Sequence, residues 1–217
     1  MYMHEQVERA EKTREAQLTI HNAPFPLHAI NLRRTMRIYL TSRRLSWEVA
    51  EVNNWYPSEN AGDTEARVVI PAKSTYKSHN FWQARALREG VGKRYQSPSG
   101  PRLDAITVVY PIDPSVIEGY AVVVEGPMDA LAAAGLGRLG IALMGNTPSL
   151  AVLNHAALVL QNYKALLLAD SDALVEAGKI TGALAARGVN IKMRKLYAKD
   201  LAEADGHERR EAVKWED

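Results

Sequence analysis

The chain has 217 residues, 27 Lys+Arg against 25 Asp+Glu for a formal charge of +2, and no cysteine. That length suits one or two small domains, and the near balance of charge does not by itself mark a nucleic-acid binder. Without cysteine the chain can hold no disulfide framework, iron–sulfur cluster or Cys-based structural zinc, so any metal must be held by oxygen or histidine.

Residues 4 to 20 are polar with scattered apolar positions, which predicts an exposed helix or arm ended by Pro24-Phe25-Pro26, and residues 1–25 are set apart on that basis. The start of the chain lacks the basic segment, apolar core and cleavage site of a secretory signal. No apolar run approaches the roughly 20 residues that span a bilayer. The expectation is a cytoplasmic protein with no membrane partner. The spacing of Ile30, Leu32, Met36, Ile38 and Tyr39 predicts a helix, and Ser46 is placed to cap a second one over Trp47–Val52. Strands are expected at Arg67–Ile70, around Phe81 to Arg85, and at Ile106–Tyr110, rich in β-branched and aromatic residues and separated by Gly, Pro and Ser. Residues 26–115 therefore read as a small mixed α/β unit.

After Pro111-Ile112-Asp113-Pro114 the texture changes. Short apolar runs at Ala121–Val124, Leu139–Leu143, Ala165–Leu168 and Val189–Lys192 alternate with helical patterns near Met128–Gly135, Ser149–Gln161, Ala173–Arg187 and Asp200–Lys214. This alternation predicts a parallel sheet covered by helices on both faces, over residues 116–217.

Two of those strands end in acid: Val122-Val123-Val124-Glu125-Gly126-Pro127-Met128-Asp129 and Leu166-Leu167-Leu168-Ala169-Asp170-Ser171-Asp172. Carboxyl ends of parallel strands form the ligand edge of such a sheet, so Glu125 and the Asp170/Asp172 pair are expected on one rim. Asp170 and Asp172 converge if the chain stays extended past the strand. Carboxylates so gathered repel unless a cation intervenes, and an all-oxygen donor set suits Mg²⁺ or Mn²⁺. Gly126 permits a sharp turn and Pro127 suits a first helical residue, which puts Asp129 in the first helical turn. There it either favours the helix dipole or orients Glu125 and bound water. Taken alone, Asp-x-Asp reads first as a pair of solvated turn acids; the strand-ending Glu about 45 residues earlier is what favours chemistry.

At these residues the chain resembles a Toprim domain, the catalytic fold of bacterial-type primases, topoisomerases and some nucleases. The match runs from about Gly119 to Glu203, with Glu125 as the strand-ending glutamate, Asp170/Asp172 as the Asp-x-Asp, and Leu143-Met144-Gly145-Asn146-Thr147 as the glycine-containing turn between them. The resemblance implies that Asp170 and Asp172 hold the metal and that Glu125 is a ligand or general acid/base. Asp200, in Leu196-Tyr197-Ala198-Lys199-Asp200, is a further ligand by resemblance or a helix-start cap by position.

Within the preceding half, the segment from Arg67 to Arg102 carries a local charge of +7: Arg67, Lys73, Lys77, Arg85, Arg88, Lys93, Arg94 and Arg102 against Glu89 alone. Tyr76, Phe81, Trp82 and Tyr95 are interleaved, so the segment offers phosphate-neutralising cations and flat faces for stacking. The order Arg67-Val68-Val69-Ile70-Pro71, Gln83-Ala84-Arg85-Ala86-Leu87 and Lys93-Arg94-Tyr95-Gln96-Ser97-Pro98 resembles the catalytic core of bacterial and phage DnaG-type primases. So does Tyr39-Leu40-Thr41-Ser42-Arg43-Arg44-Leu45-Ser46, with Arg44 where glycine is usual. The resemblance implies synthesis of RNA primers from ribonucleoside triphosphates on a single-stranded DNA template. Arg85, Lys93, Arg94 and Tyr95, then Arg67 and Lys77, are the implied nucleic-acid or nucleotide contacts. It also implies a replicative helicase or a separate zinc-binding initiation subunit as partner, because this chain has neither the cysteines nor a P-loop. About 17 residues follow Asp200, fewer than the helical bundle that closes cellular primase cores would need. A metal-dependent nuclease and a non-catalytic nucleic-acid-binding adaptor are the alternatives. The six histidines show no ligand spacing, and Gly135-Leu136-Gly137-Arg138-Leu139-Gly140 joins a helix to a strand, the wrong context for a dinucleotide site.

Overall fold

The structure, a computed structural model, describes residues 24–61, 65–76, 80–88, 90, 92–99, 102–117, 119–198 and 200–215. The arm expected over residues 4 to 20 lies outside the described residues.

A 3-10 turn (Ile30–Leu32) leads into α1 (Arg33–Ser42), which buries Met36 and Leu40 one turn apart. Ser46 caps α2 (Trp47–Val52) by accepting the Val49 N–H at 3.1 Å. Between the helices Arg44 takes a φ of 55°, a left-handed conformation, at the position where the resembled helix-turn has glycine. β1 (Tyr56–Ser58), β2 (Arg67–Ala72), β3 (Phe81–Ala86) and β4 (Tyr95–Gln96) then form a four-stranded antiparallel sheet in that order. β1 and β4 have three and two residues, too few to display a two-residue period, which is why the sequence pattern misses them.

The second half contains β5 (Thr107–Val109), β6 (Tyr120–Val124), α3 (Pro127–Ala134), β7 (Leu139–Ala142), α4 (Leu150–Val159), β8 (Lys164–Ala169), α5 (Leu174–Ala185), β9 (Ile191–Lys195) and α6 (Gly206–Ala212). Its five-stranded sheet has the order β5-β7-β6-β8-β9, parallel except for β5. β5, expected to belong with the first unit, is instead the antiparallel edge of this sheet, pairing Thr107 with Ala142. The helix expected over Asp200–Lys214 begins only at Gly206. Asp205 is its cap, accepting the His207 and Glu208 N–H groups at 2.8 Å each, and the preceding residues form a separate turn.

Alternation along β6 divides the core. Val122 and Val124 pack with α1, α2 and α3, while Ala121 and Val123 face α4 and α5. On the first side α3 lies so close to β7 that a Cβ on Gly140 would stand 2.2 Å from the Ala130 carbonyl oxygen, so only glycine fits there. That same apolar cluster includes Val68 and Ile70 of β2, so one core runs through both halves. A two-bond bridge joins the sheets as well: the Lys73 N–H donates to the Ile106 carbonyl at 2.7 Å and the Ile106 N–H returns at 2.9 Å. Among the described residues no helix is long and apolar enough to cross a membrane.

Candidate active site

The strand order has a consequence for ligand placement. The chain leaves β6 through α3 toward β7 on one side, and leaves β8 through α5 toward β9 on the other. The carboxyl ends of the neighbouring strands β6 and β8 therefore flank a topological switch point, where an open parallel sheet forms its binding crevice. Glu125 follows β6 directly and Asp170 follows β8 directly. Both acids, with Gly145 and Asn146 of the turn after β7, line one cleft at this point.

Glu125 is exposed, yet its carboxyl is pushed up by partial desolvation and then by the charge of Asp172. Asp172 reaches this neighbourhood by a different route from the one expected. Residues 171 and 172 do not remain extended; the Ala173 N–H donates to the Asp170 carbonyl at 3.0 Å, and the resulting turn carries Asp172. Asp129, in the first turn of α3, is pushed up to about 7, first by burial, then by Asp200 and, less, by Asp170. Its Oδ1 accepts the Ala202 N–H at 2.9 Å. A contact with the segment after β9, not the helix dipole alone, fixes this side chain. Asp200 does act as a turn cap, accepting the Glu203 N–H at 2.7 Å on Oδ1, and its charge also reaches Asp129.

Oxygen donors that raise one another's pKa are the set a hard divalent cation would relieve. The donor chemistry fits. Among the described residues, however, no group of three or more acidic or histidine side chains is gathered closely enough to hold a metal, so a three-carboxylate shell requires these side chains to draw together.

The basic half divides into buried and exposed cations. Arg67 is fully buried and donates to the carbonyls of Ala84 (3.3 Å), Lys93 (3.0 Å) and Arg94 (3.4 Å). This corrects its expected role: it holds the backbone of the loop instead of meeting phosphate. Lys93 and Arg94 themselves are exposed. Arg85 is buried too, its Nε donating to the Tyr39 hydroxyl and its Nη1 to the Tyr95 hydroxyl, each at 3.1 Å. Tyr95 is pushed up to about 12 by burial, with Arg85 opposing and the Asp129 charge adding to the rise. That coupling places the Arg85–Tyr95–Tyr39 cluster beside the acid-bearing start of α3. Lys77 lies outside the described residues.

Three features escaped the sequence reading. Arg102 Nη1 donates to the Met144 carbonyl, tethering the turn next to Glu125, whose own carbonyl accepts the Gly145 N–H at 3.2 Å. Buried Asp104 accepts from Ser74 and Thr75, and its carbonyl lies 2.9 Å from His155 Nδ1, so it pins the end of β2 to α4. Arg209 of α6 is buried among carbonyls near Asp129 and Asp200. Charged residues in a polar stretch look alike whether they end inside or outside, so spacing and composition held no signal for Arg102, Asp104 or Arg209.

Comparisons with known proteins agree on the fold. No family model matches and no curated protein matches. Among solved structures, the chain is similar to the Escherichia coli primase catalytic core (TM-score 0.55, 15% identity, 78% of this chain and 67% of that one). It is also similar to the zinc-binding and RNA polymerase domains of the Aquifex aeolicus primase (TM-score 0.55, 19% identity, 75% and 49%). A third is a DnaG primase catalytic domain bound to single-stranded DNA (TM-score 0.54, 16% identity, 76% and 63%). The chain thus spans 63% and 49% of the length of two of these structures, and it has the Toprim-containing fold of primase catalytic cores.

Proposed function

We propose that this chain is a primase-like nucleotidyltransferase that joins ribonucleotides on a single-stranded DNA template. The observation that carries the reading is one juxtaposition: Glu125 and Asp170 at the switch point of the parallel sheet, with Tyr95 of the antiparallel sheet, bonded by Arg85, packed on the core that Met128 of α3 enters. A structural neighbour bound to single-stranded DNA supports the choice of template.

In this proposal the 3′-hydroxyl of a growing primer attacks the α-phosphorus of an incoming triphosphate. A new O–P bond forms, pyrophosphate leaves, and the hydroxyl proton passes to a Glu125 oxygen, whose raised pKa suits it to receive one. A Mg²⁺ or Mn²⁺ ion would be held by Asp170 and Asp172, with Asp200 as a further donor and Glu125 as a ligand in place of its role as base, and would supply Lewis-acid stabilisation of phosphate charge. Asp129, held by the Ala202 N–H, would orient the acids around it. Exposed Lys93 and Arg94 would neutralise template or triphosphate charge, and Arg85 would keep Tyr95 in place between the two halves. A replicative helicase or a zinc-binding initiation subunit would complete start-site selection, and the working compartment would be the cytoplasm, of a host cell if the chain is phage-encoded.

The test is primer synthesis on single-stranded DNA with labelled ribonucleotides and Mg²⁺ or Mn²⁺, with extended RNA as the expected product. Cleavage of labelled nucleic acid without nucleotides would replace the polymerase by a nuclease. Binding without either reaction would make the chain an adaptor.

A further inference from the structure

Arg209 sits 6% exposed in α6, with nothing in its sequence neighbourhood to separate it from solvated Arg210. Its guanidinium donates to four carbonyls from two distant segments. Nε bonds the Leu201 carbonyl at 2.9 Å and Nη2 the Ala202 carbonyl, while Nη1 bonds the Arg44 carbonyl at 2.6 Å and Nη2 that of Arg43 at 3.1 Å. The first pair belongs to the segment whose Ala202 N–H holds Asp129; the second pair is the turn between α1 and α2. An ion pair between Arg43 and Glu203, 3.5 Å apart, spans the same gap.

The charge of Arg209 is opposed by its own burial and by Arg44, and favoured by Asp129 and Asp200. It is therefore close enough to temper the repulsion between those acids. Yet it donates to carbonyls and to neither carboxylate, so their lone pairs stay available to a cation. An arginine bonded directly to Asp129 or Asp200 would compete for the same oxygens. Carbonyl-bound arginine supplies countercharge and geometry together without occupying a donor.

We propose that Arg209 is a positioning residue: by clasping the Arg43–Arg44 turn to the Leu201–Ala202 segment, it holds Asp129 and Asp200 in register for cation binding on the rim. This rests on the reading of that rim as the nucleotidyl-transfer centre. The left-handed Arg44 fits the arrangement, since the reversal there turns two successive carbonyls toward one guanidinium.

The full chain carrying Arg209→Lys keeps the charge but not the fork, and Arg209→Met loses both. Three measurements read the result: thermal unfolding, binding of Mn²⁺ alone, and hydrogen exchange at the Ala202 amide. The expectation is a folded Arg209→Lys protein in which the Ala202 amide exchanges faster while amides of β6 and β8 do not. Half-saturation by Mn²⁺ should move up by about 10-fold, the scale seen when outer partners of metal ligands are lost. Single-stranded DNA binding should not change. Unaltered Ala202 exchange in a folded Arg209→Lys variant overturns the clasp, and so does failure of that variant to fold, which would make Arg209 a residue of the fold alone. If the unsubstituted protein binds no Mn²⁺ and makes no primers, the reading of the rim fails instead, and Ala202 exchange still decides the clasp.

Discussion

The antiparallel and parallel halves treat charge in opposite ways. In the antiparallel half, Arg67 and Arg85 are turned inward and engaged by carbonyls and phenols, and Arg102 reaches across to a turn of the other half. In the parallel half, Glu125 and Asp172 stand exposed at the ends of buried strands. The basic count of the first half therefore overstates the surface it offers to phosphates, whereas the acids of the second half are displayed where the sheet topology needs them. Buried guanidinium groups hold the backbone frame in both regions, Arg67 in the first and Arg209 in the second, while the exposed acids gather as a working surface at the strand ends of the parallel half.

Breaking the working surface should have the largest effect. Asp170→Asn should lower primer synthesis by about 1,000-fold, the several kcal/mol that a lost ligand to a Lewis-acidic cation is worth, with little change in the unfolding midpoint. Unchanged synthesis would remove the rim from the chemistry. Next comes the packing beneath that surface. Gly140→Ala would drive a methyl into the Ala130 carbonyl and should cost about 3 kcal/mol in urea unfolding.

The frame is tested by Arg67→Met, which removes the guanidinium from the Ala84, Lys93 and Arg94 carbonyls, the last of which keeps the Ala86 N–H at 3.0 Å, and should destabilise by about 2–3 kcal/mol. The salt slope of single-stranded DNA binding should be retained. The reverse is expected for Lys93→Ala combined with Arg94→Ala: stability within about 0.5 kcal/mol of the unsubstituted chain, and a log–log salt slope shallower by about 1.4, near 0.7 per lost contact. If the two variants exchange phenotypes, the division between frame and surface is wrong.

The last test concerns pH. The Asp129 carboxyl is raised to about 7 in the folded protein, above its unfolded value, so the folded state holds the proton more tightly. Its contribution to stability is complete below the unfolded pKa near 4 and is lost as pH rises through about 7. Asp129→Asn should therefore gain on the unsubstituted chain between pH 4 and pH 7, by about 3 kcal/mol in urea unfolding. A constant difference across that window would mean that the acid is not held in its raised state.

Legibility followed the same division. Strands buried on both faces read as apolar runs, and an acid closing such a run is conspicuous, so Glu125 and Asp170 were visible in the text of the chain. The start of α3 at Pro127 was visible too, as proline suits a first helical residue, whereas Gly126 before it is extended and needs no glycine freedom. Strands of two or three residues leave no period, so β1, β4 and the true sheet of β5 were not. Asp172 was found but by an argument the turn at residues 171 and 172 does not support. Arg67 and Arg209 were unreadable as interior residues, because a guanidinium that ends on carbonyls is decided by backbone placement, which composition and spacing do not encode.

The core that joins Val68 and Ile70 to Val122, Val124 and Met128 gives the molecule one further property. The α4/α5 face of the parallel sheet has an interior of its own, whereas its other face shares one with the antiparallel half, so severing the chain near Ser99 should uncover that shared face on both fragments and let them reassemble when co-expressed. Interruption of the backbone there would convert an acid-bearing sheet and its basic companion into a two-piece reporter whose signal is their reunion.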